Sequence, residues 1–600
     1  MSNFTTNIGD YIVIFLYTVI VLGIGIFFSR EKKDSETYLL GGRAMPAWAI
    51  GIACMMSLFS SISIVQVPGE IFNHGMTYFV TALITPVISI PCYMLFAKFY
   101  FRLNSFTPYE YLEYRYDKTV RGVVALASFY TKVIYIGMVL YTSAKIFEGA
   151  FHWPAWFSIL LVAFVGISCC FIGGSKAVVW TDVFQAIITF GGLLVVCGIL
   201  CWKIKGGLIG AVSVALKDGH GMPQFGEAEF YTLSPYVRLL FWTLAYGTVA
   251  NCLTNACSNQ IAIQRYLSCK NWKEGLKSQL ISILSGLGFT FLLFFIGLAL
   301  YTYYKQNPDP QIGVRGGDLA LFHFVRSYLP SPLTGLFIAA MLAAIMSTVS
   351  GATNAMAGVY MKEFHAKFFN KNMDGKKEFS ILRRATVIIG IFSVLLALAL
   401  DFAGSWLKQS VTEVGAIFNL LGAIILPAFL CAVLSRRANA ALVWATTFFS
   451  IGENVALNVW YALSRSDAQA WQEDPTLGFG WAGRLDFVYV WPFFLLTALL
   501  LFPWFIKKIR SQMWVKGMAV LGITVLGAAV GMLLWYGFSQ YFIKMTPLAR
   551  SFSFGLPIPL LAALGALKFC PVQPREKWQG LTLDTIEQEI LTDNQKEMQK

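Results

Sequence analysis

SLFSSISIVQVPG, residues Ser57–Gly69, lies inside a long apolar run. Four serines, Gln66, Pro68 and Gly69 stand where lipid would otherwise demand leucine. In hydrocarbon every backbone N–H and C=O must be satisfied within the protein. Non-helical backbone is therefore tolerated at that depth only where it is buried in protein or lines a water-filled cavity. The stretch reads as an interrupted helix whose freed carbonyls could serve another partner. The competing reading is a packed helix kinked by Pro, Gly and Ser, which membrane helices tolerate.

The rest of the chain supports the membrane setting. Of its 600 residues, 57% are hydrophobic and 13% charged, against about 25% charged in soluble proteins. Apolar stretches of about 20 residues, enough to cross a bilayer, recur along nearly the whole length. The short alternating segments of a membrane β-barrel are missing, so the chain is expected to be an all-α polytopic membrane protein embedded in the lipid bilayer. The net charge of +14 sits in short loops, so no nucleic-acid partner is expected. The eleven cysteines lack framework or metal-ligand spacing and read as small packing residues. The five histidines fall near loops and no acids converge with them. A membrane-embedded enzyme is therefore not expected, and neither is a cofactor.

About fifteen spans are predicted, at 10–29, 46–72, 76–101, 121–148, 155–173, 177–202, 236–263, 277–303, 332–363, 384–404, 412–434, 438–463, 486–507, 514–541 and 552–569. The N-terminal run lacks the basic start and cleavage site of a signal peptide. It reads as a retained first span with its N-terminus outside. Basic clusters such as 30–43, 102–121, 265–277 and 362–384 then fall inside, following the positive-inside rule. Residues 1–570 read as one transmembrane domain in the plasma membrane, followed by a cytoplasmic tail over 571–600.

Span 236–263 is interrupted too, by Gly247, Asn251, Thr254, Asn255, Ser258 and Asn259. Paired interrupted helices in corresponding positions of two halves point to an inverted-repeat transporter with its site at the breaks. A small hard cation suits bare carbonyls, because it seeks several oxygen ligands. The facing partner should come from AAIMSTVSGATN, Ala343–Asn354, where Ala344, Ser347 and Thr348 stand at i, i+3 and i+4 on one helix face. The alternative is close packing, with the hydroxyls bonded back to their own helix.

Asp182, an intramembrane carboxylate, is a functional candidate. It also reads as a helix N-terminal charge or a partner for Lys176. Glu70 is expected at the outer mouth, paired with a basic loop residue, and Glu453 in a buried hydrogen bond. Lys132 and Lys145 are expected to snorkel to the interfaces.

Four motifs together carry a family likeness: TPYEYLEYRY at Thr107–Tyr116, GGSKAVVWTDVFQ at Gly173–Gln185, NQIAIQR at Asn259–Arg265, and Ala343–Asn354. Over about residues 10–435 the chain resembles the sodium:solute symporter family, and its short loops resemble the bacterial members. That resemblance implies a leucine-transporter-type 5+5 inverted repeat, here 46–202 and 236–435, with flanking spans at 10–29 and 438–569. It implies a sodium site formed by the carbonyls of Met56, Phe59 and Ala344 and the hydroxyls of Ser347 and Thr348. Some members hold a second sodium through counterparts of Asp182, Ser347, Ser350 and Gly351. Glycine has no hydroxyl, so one sodium per cycle is expected.

By the same resemblance Ser60 and Ser63 match solute-contacting positions. The resemblance also marks Thr81, next to the Ala82 position, and Asn255 at the inner gate, and helical placement adds Tyr141, Asn251 and Asn419. Sugar and sialic acid carriers place an amide or a carboxylate at Ala82. Sugar carriers also have an aromatic gate where this chain has Asn255 and Ala256, and no arginine stands near Tyr135. These departures argue against a hexose or sialic acid. The expected function is sodium-coupled symport of a small organic solute or anion by alternating access, with sodium the coupling ion. A uniporter, channel or substrate sensor of the same fold is the alternative. A monomer or loose oligomer is expected.

Overall fold

The serine-rich stretch does interrupt its helix, but at Phe59–Ser60 rather than at the proline. A computed structural model describes residues 7–29, 34–103, 106–151, 153–220, 228–231, 241–309, 312, 317–368, 375–407, 425–463, 522–531, 557–567, 570–579 and 582. Helix α1 (Ile8–Phe28) is followed by a short α2 (Ser35–Leu40) and by α3 (Ala47–Leu58). Phe59 and Ser60 then adopt extended backbone, and α4 (Ser61–His74) resumes. Pro68 lies inside α4. Serine fits the start of α4 because its hydroxyl competes with the main chain for hydrogen bonds, which favours helix ends over helix interiors.

Next come α5 (Phe79–Leu103), α6 (Pro108–Arg115), α7 (Lys118–Phe151) and α8 (Ala155–Lys203). Helix α8 has 49 residues and is about 74 Å long at 1.5 Å per residue, more than twice a hydrocarbon core of about 30 Å. It divides at Gly174, which takes φ 60°. A Cβ at Gly174 would lie 2.7 Å from the Tyr38 ring, so both backbone and space require glycine. The two lengths correspond to the expected spans 155–173 and 177–202.

The chain continues through α9 (Gly207–Lys217), α10 (Phe241–Cys257), α11 (Gln260–Leu267), α12 (Trp272–Gln306), α13 (Gly317–Tyr328), α14 (Leu333–Val359) and α15 (Gly375–Leu407). The second interruption falls at Ser258–Asn259, where the Asn259 side chain accepts from the Ile261 amide at 3.2 Å and caps α11. Gly247, Asn251, Thr254 and Asn255 stay within unbroken α10.

Among the described residues, seven helices are long and apolar enough to cross a membrane, or eight if the bent pair Ser35–Arg43 and Ala47–Leu58 forms one span. The expected span 486–507 lies outside the described residues. So do most of 514–541 and of the tail 571–600.

The chain groups into two units, one of residues 1–101, 132–230 and 259–408, the other of 102–131, 231–258 and 409–600. In the first, α14 is the core: every residue from Phe337 to Val359 is buried, and the helix packs on α8, α1, α3 and α15. Its alanines, glycines and serines allow that close approach. Asp10 of α1 accepts from the Gly335 amide at 2.8 Å, satisfying an otherwise unpaired N–H at the start of α14. In the second unit the fully buried Arg115 of α6 donates to the carbonyls of Ala432 (3.0 Å) and Ser435. A cation there complements the C-terminus of the helix Ile425–Leu434.

Candidate functional site: an oxygen cage at the helix break

Five oxygens converge where α3 ends. The Ser347 hydroxyl donates to the carbonyls of Met56 (3.0 Å) and Ala344 (3.1 Å). The Thr348 hydroxyl donates to those of Phe59 (3.2 Å) and Ala344 (3.1 Å). All five residues expected to meet are therefore brought together, across 291 and 289 residues of sequence. The helical register places Ala344, Ser347 and Thr348 on one face. The extended turn at Phe59–Ser60 brings the α3 carbonyls to them. Met56, Ser347 and Thr348 are almost wholly inaccessible to solvent. The cluster is rich in acceptors: five oxygens share two hydroxyl protons.

One turn along α14, the Ser350 hydroxyl bonds back to the Ser347 carbonyl at 3.3 Å. Asp182 is completely buried and pairs with Arg265 at 2.7 Å. Ser57 sits between them, accepting from Arg265 at 3.2 Å and donating to Asp182 at 3.3 Å. This corrects two expectations. The partner of Asp182 is Arg265 rather than Lys176, and Asp182 lies eight residues beyond the Gly174 break, past the first turn in which a helix dipole acts. Arg265 itself is no loop cation, being 5% exposed. A Cβ at Gly351 would stand 2.9 Å from the Ser57 hydroxyl and 3.3 Å from the guanidinium, so the missing side chain makes room for this cluster.

The expected solute-contacting residues are more dispersed. Ser60 stands at the break, bonded to the Tyr135 hydroxyl, and Ser63 begins α4 with its amide on the Ser60 carbonyl. The Thr81 hydroxyl is used within its own helix, on the Tyr78 carbonyl at 2.8 Å. Tyr141 is buried on α7, about 9 Å along the axis from Tyr135. Asn251 and Asn255 belong to the second unit and bond to one another at 2.9 Å. Asn419 lies outside the described residues.

The profile of the sodium:solute symporter family matches residues 38–444. The chain belongs to the sodium:solute symporter family. It is 26% identical over 72% of its length to 84% of a sodium/sialic acid symporter of Aliivibrio fischeri. It is 30% identical, again over 72%, to 68% of a rabbit (Oryctolagus cuniculus) sodium-dependent multivitamin transporter. A solved substrate-bound, outward-open Na+-coupled sialic acid symporter superposes with a TM-score of 0.68, covering 76% of this chain and 92% of that one at 22% identity. The fold is therefore shared, and the protein is a sodium-coupled symporter.

Three residues around the cage left a weaker mark in the symporter's sequence. Arg265 ends a quoted motif, and a buried carboxylate demands a counter-charge. That demand was the available signal for the pair. Ser57 and Tyr135 offered no distinguishing pattern. Lys132 was expected to snorkel, but it lies midway along α7. Lys145, 13 residues on toward the C-terminal end of α7, pairs with Glu148 and Asp401, each at 2.7 Å. Glu70 lies 3.8 Å from His74, four residues on along its own helix. Among the described residues neither Glu453 carboxyl oxygen has a hydrogen-bond partner, contrary to expectation.

Proposed function

We propose that the symporter binds one sodium ion in the cage of Met56, Phe59, Ala344, Ser347 and Thr348, and that this ion drives import of a small organic solute by alternating access. The carrying observation is the surplus of oxygen over protons in that cage. When the two hydroxyls rotate their protons outward, all five oxygens present lone pairs to one point. Oxygen contacts of about 3.2 Å are also the edges of an octahedral shell with a radius of about 2.3 Å, the short end of the range for a hard cation of this size.

A second sodium has no comparable place. The carboxylate that would hold it is engaged by Arg265, and Gly351 brings no oxygen. The guanidinium supplies the positive charge permanently, so one ion moves per cycle. Ion binding ties α3 to α14. If solute binds beside the same break, each ligand favours the state that binds the other, as coupling requires. The relatives named for sialic acid and multivitamins support an organic solute. The inverted repeats at 46–202 and 236–435 follow from the two breaks. The basic inner loops support an outside N-terminus, a cytoplasmic C-terminus and the plasma membrane.

Uptake into proteoliposomes tests the cage. Ser347→Ala and Thr348→Ala each raise the sodium concentration for half-maximal uptake at least tenfold, while the solute requirement at saturating sodium changes much less. Unchanged sodium dependence in both variants would remove the cage from the transport cycle.

A further inference from the structure

We propose that His220 is a proton-sensitive clasp that fastens the C-terminal end of α4 to α12, and that acid releases this clasp and weakens sodium binding. The effect on sodium rests on the cage reading above; the clasp itself does not. Under the proposed topology that end of α4 faces outside, so external acid is what acts on it.

Helix α4 starts just after the cage carbonyl of Phe59 and leans on α12 near both of its ends. At the break the Phe59 ring meets Phe289, with centroids 4.9 Å apart. Near the other end Phe72 stands against Tyr301 and Tyr304, at 6.3 and 6.1 Å. Helix α9 and its flanking residues are strapped along that part of α12. Lys205, just before α9, donates its amide to the Gln306 side chain at 2.9 Å, and the Thr302 hydroxyl donates to the Ala211 carbonyl at 2.8 Å. Past α9, Asp218 accepts from the Tyr301 hydroxyl at 3.2 Å and pairs with Lys305. Two residues on, the His220 ring stacks on Tyr301, with centroids 3.9 Å apart.

From there His220 reaches α4 twice. Its ring donates to the Phe72 carbonyl, one of the last four of the helix, which lack a donor within it. Its own carbonyl accepts from the Met76 amide at 3.0 Å. Gly75 has φ 66°, and a Cβ there would lie 2.7 Å from the His220 carbonyl oxygen, so this approach requires glycine. Protonation opposes the arrangement. The charged and titratable groups facing the ring are Asp218 on its own segment, His74 of α4, and Tyr301 and Lys305 of α12. Burial disfavours the charged imidazole and pushes its pKa below the usual 6.5; the Phe72 bond and Asp218 pull the other way, and His74 and Lys305 reinforce burial. A released ring therefore takes a proton more readily than a clasped one, and the clasp is lost as pH falls below about 6.5. Freed at that end, α4 keeps its aromatic hold on α12 only at the break, and the Phe59 carbonyl loses its fixed place in the cage.

The experiment is hydrogen exchange of the purified full-length protein, in which the Met76 amide reports the clasp directly, beside a thermal-shift titration with sodium. From pH 7.5 to pH 5.5, after correction for the intrinsic exchange rate, protection of that amide in the parent falls at least tenfold. Over the same step the sodium midpoint rises at least threefold. His220→Gln keeps a side-chain amide donor but cannot titrate, and it shows neither response. His74→Gln shows both. Gly75→Ala behaves at pH 7.5 as the parent does at pH 5.5, so the parent and this variant decide the outcome even where His220→Gln does not fold. The inference is overturned if either response is missing from the parent, if His220→Gln retains them, or if His74→Gln abolishes them. A parent with no sodium shift at pH 7.5 would instead count against the cage, while Met76 exchange still decides the clasp, so the two readings fail separately.

Discussion

Arg265 and Asp182 form the most consequential pair of side chains outside the cage. Breaking a buried ion pair by removing one partner costs about 3–5 kcal/mol, because the other charge stays buried without compensation. Replacing both with apolar residues of similar volume is often near neutral. Arg265→Met is therefore expected to lower the melting temperature sharply, and Arg265→Met with Asp182→Leu to recover most of the loss. On the one-sodium proposal, the double variant also keeps the parent's sodium midpoint in a thermal titration. A shifted midpoint would make Asp182 a sodium ligand. Single residues were read best where chemistry constrains them alone: Ser347 and Thr348 were legible from spacing. The partner of Asp182 was not, since 83 residues separate it from Arg265.

The helices owe their breaks to different causes. Gly174 divides α8 by backbone conformation and by the closeness of Tyr38. At Phe59–Ser60 neither glycine nor proline is present: of the breakers in the stretch the serines mark the turn, while Pro68 and Gly69 lie within α4. Another junction lies past α9, where the His220 ring stacks on Tyr301 of α12, centroids 3.9 Å apart, and its carbonyl accepts from the Met76 amide at 3.0 Å. Burial pushes the His220 pKa below the usual 6.5, despite the nearby Asp218 carboxylate; His74 and Lys305 act in the same direction as burial. The unfolded chain therefore takes up this proton first, and stability falls as pH drops through about 6.5. Asp218 is held low by its hydrogen bond from Lys305, so its contribution disappears only below about 3.8. The melting temperature should fall between pH 7 and pH 5.5, and His220→Gln should remove most of that slope. An unaltered slope would place the titrating group elsewhere.

Across the whole transporter, the charge that travels with the sodium decides what drives uptake. A lone sodium crossing a potential of 100 mV releases about 2.3 kcal/mol. With an anionic solute that term cancels, and the sodium concentration gradient alone drives accumulation. At one sodium per solute, uptake of a neutral solute into proteoliposomes is expected to rise with an imposed inside-negative potassium diffusion potential, and uptake of a monoanion to be independent of it. Stimulation of monoanion uptake by that potential would mean a second ion.

The sequence by itself determined the membrane class, the two interrupted spans and the shared helix face of Ala344, Ser347 and Thr348, each written locally in apolar length, in breaker residues or in i, i+3, i+4 spacing. The four motifs carried the family resemblance, and only that resemblance pointed to the carbonyls of Met56 and Phe59. Only the tertiary structure decided where the first break falls and that Arg265 is buried against Asp182 rather than exposed in a loop. Those facts depend on which distant helices meet. A charge looks the same in the sequence whether its partner waits across the fold or in a loop.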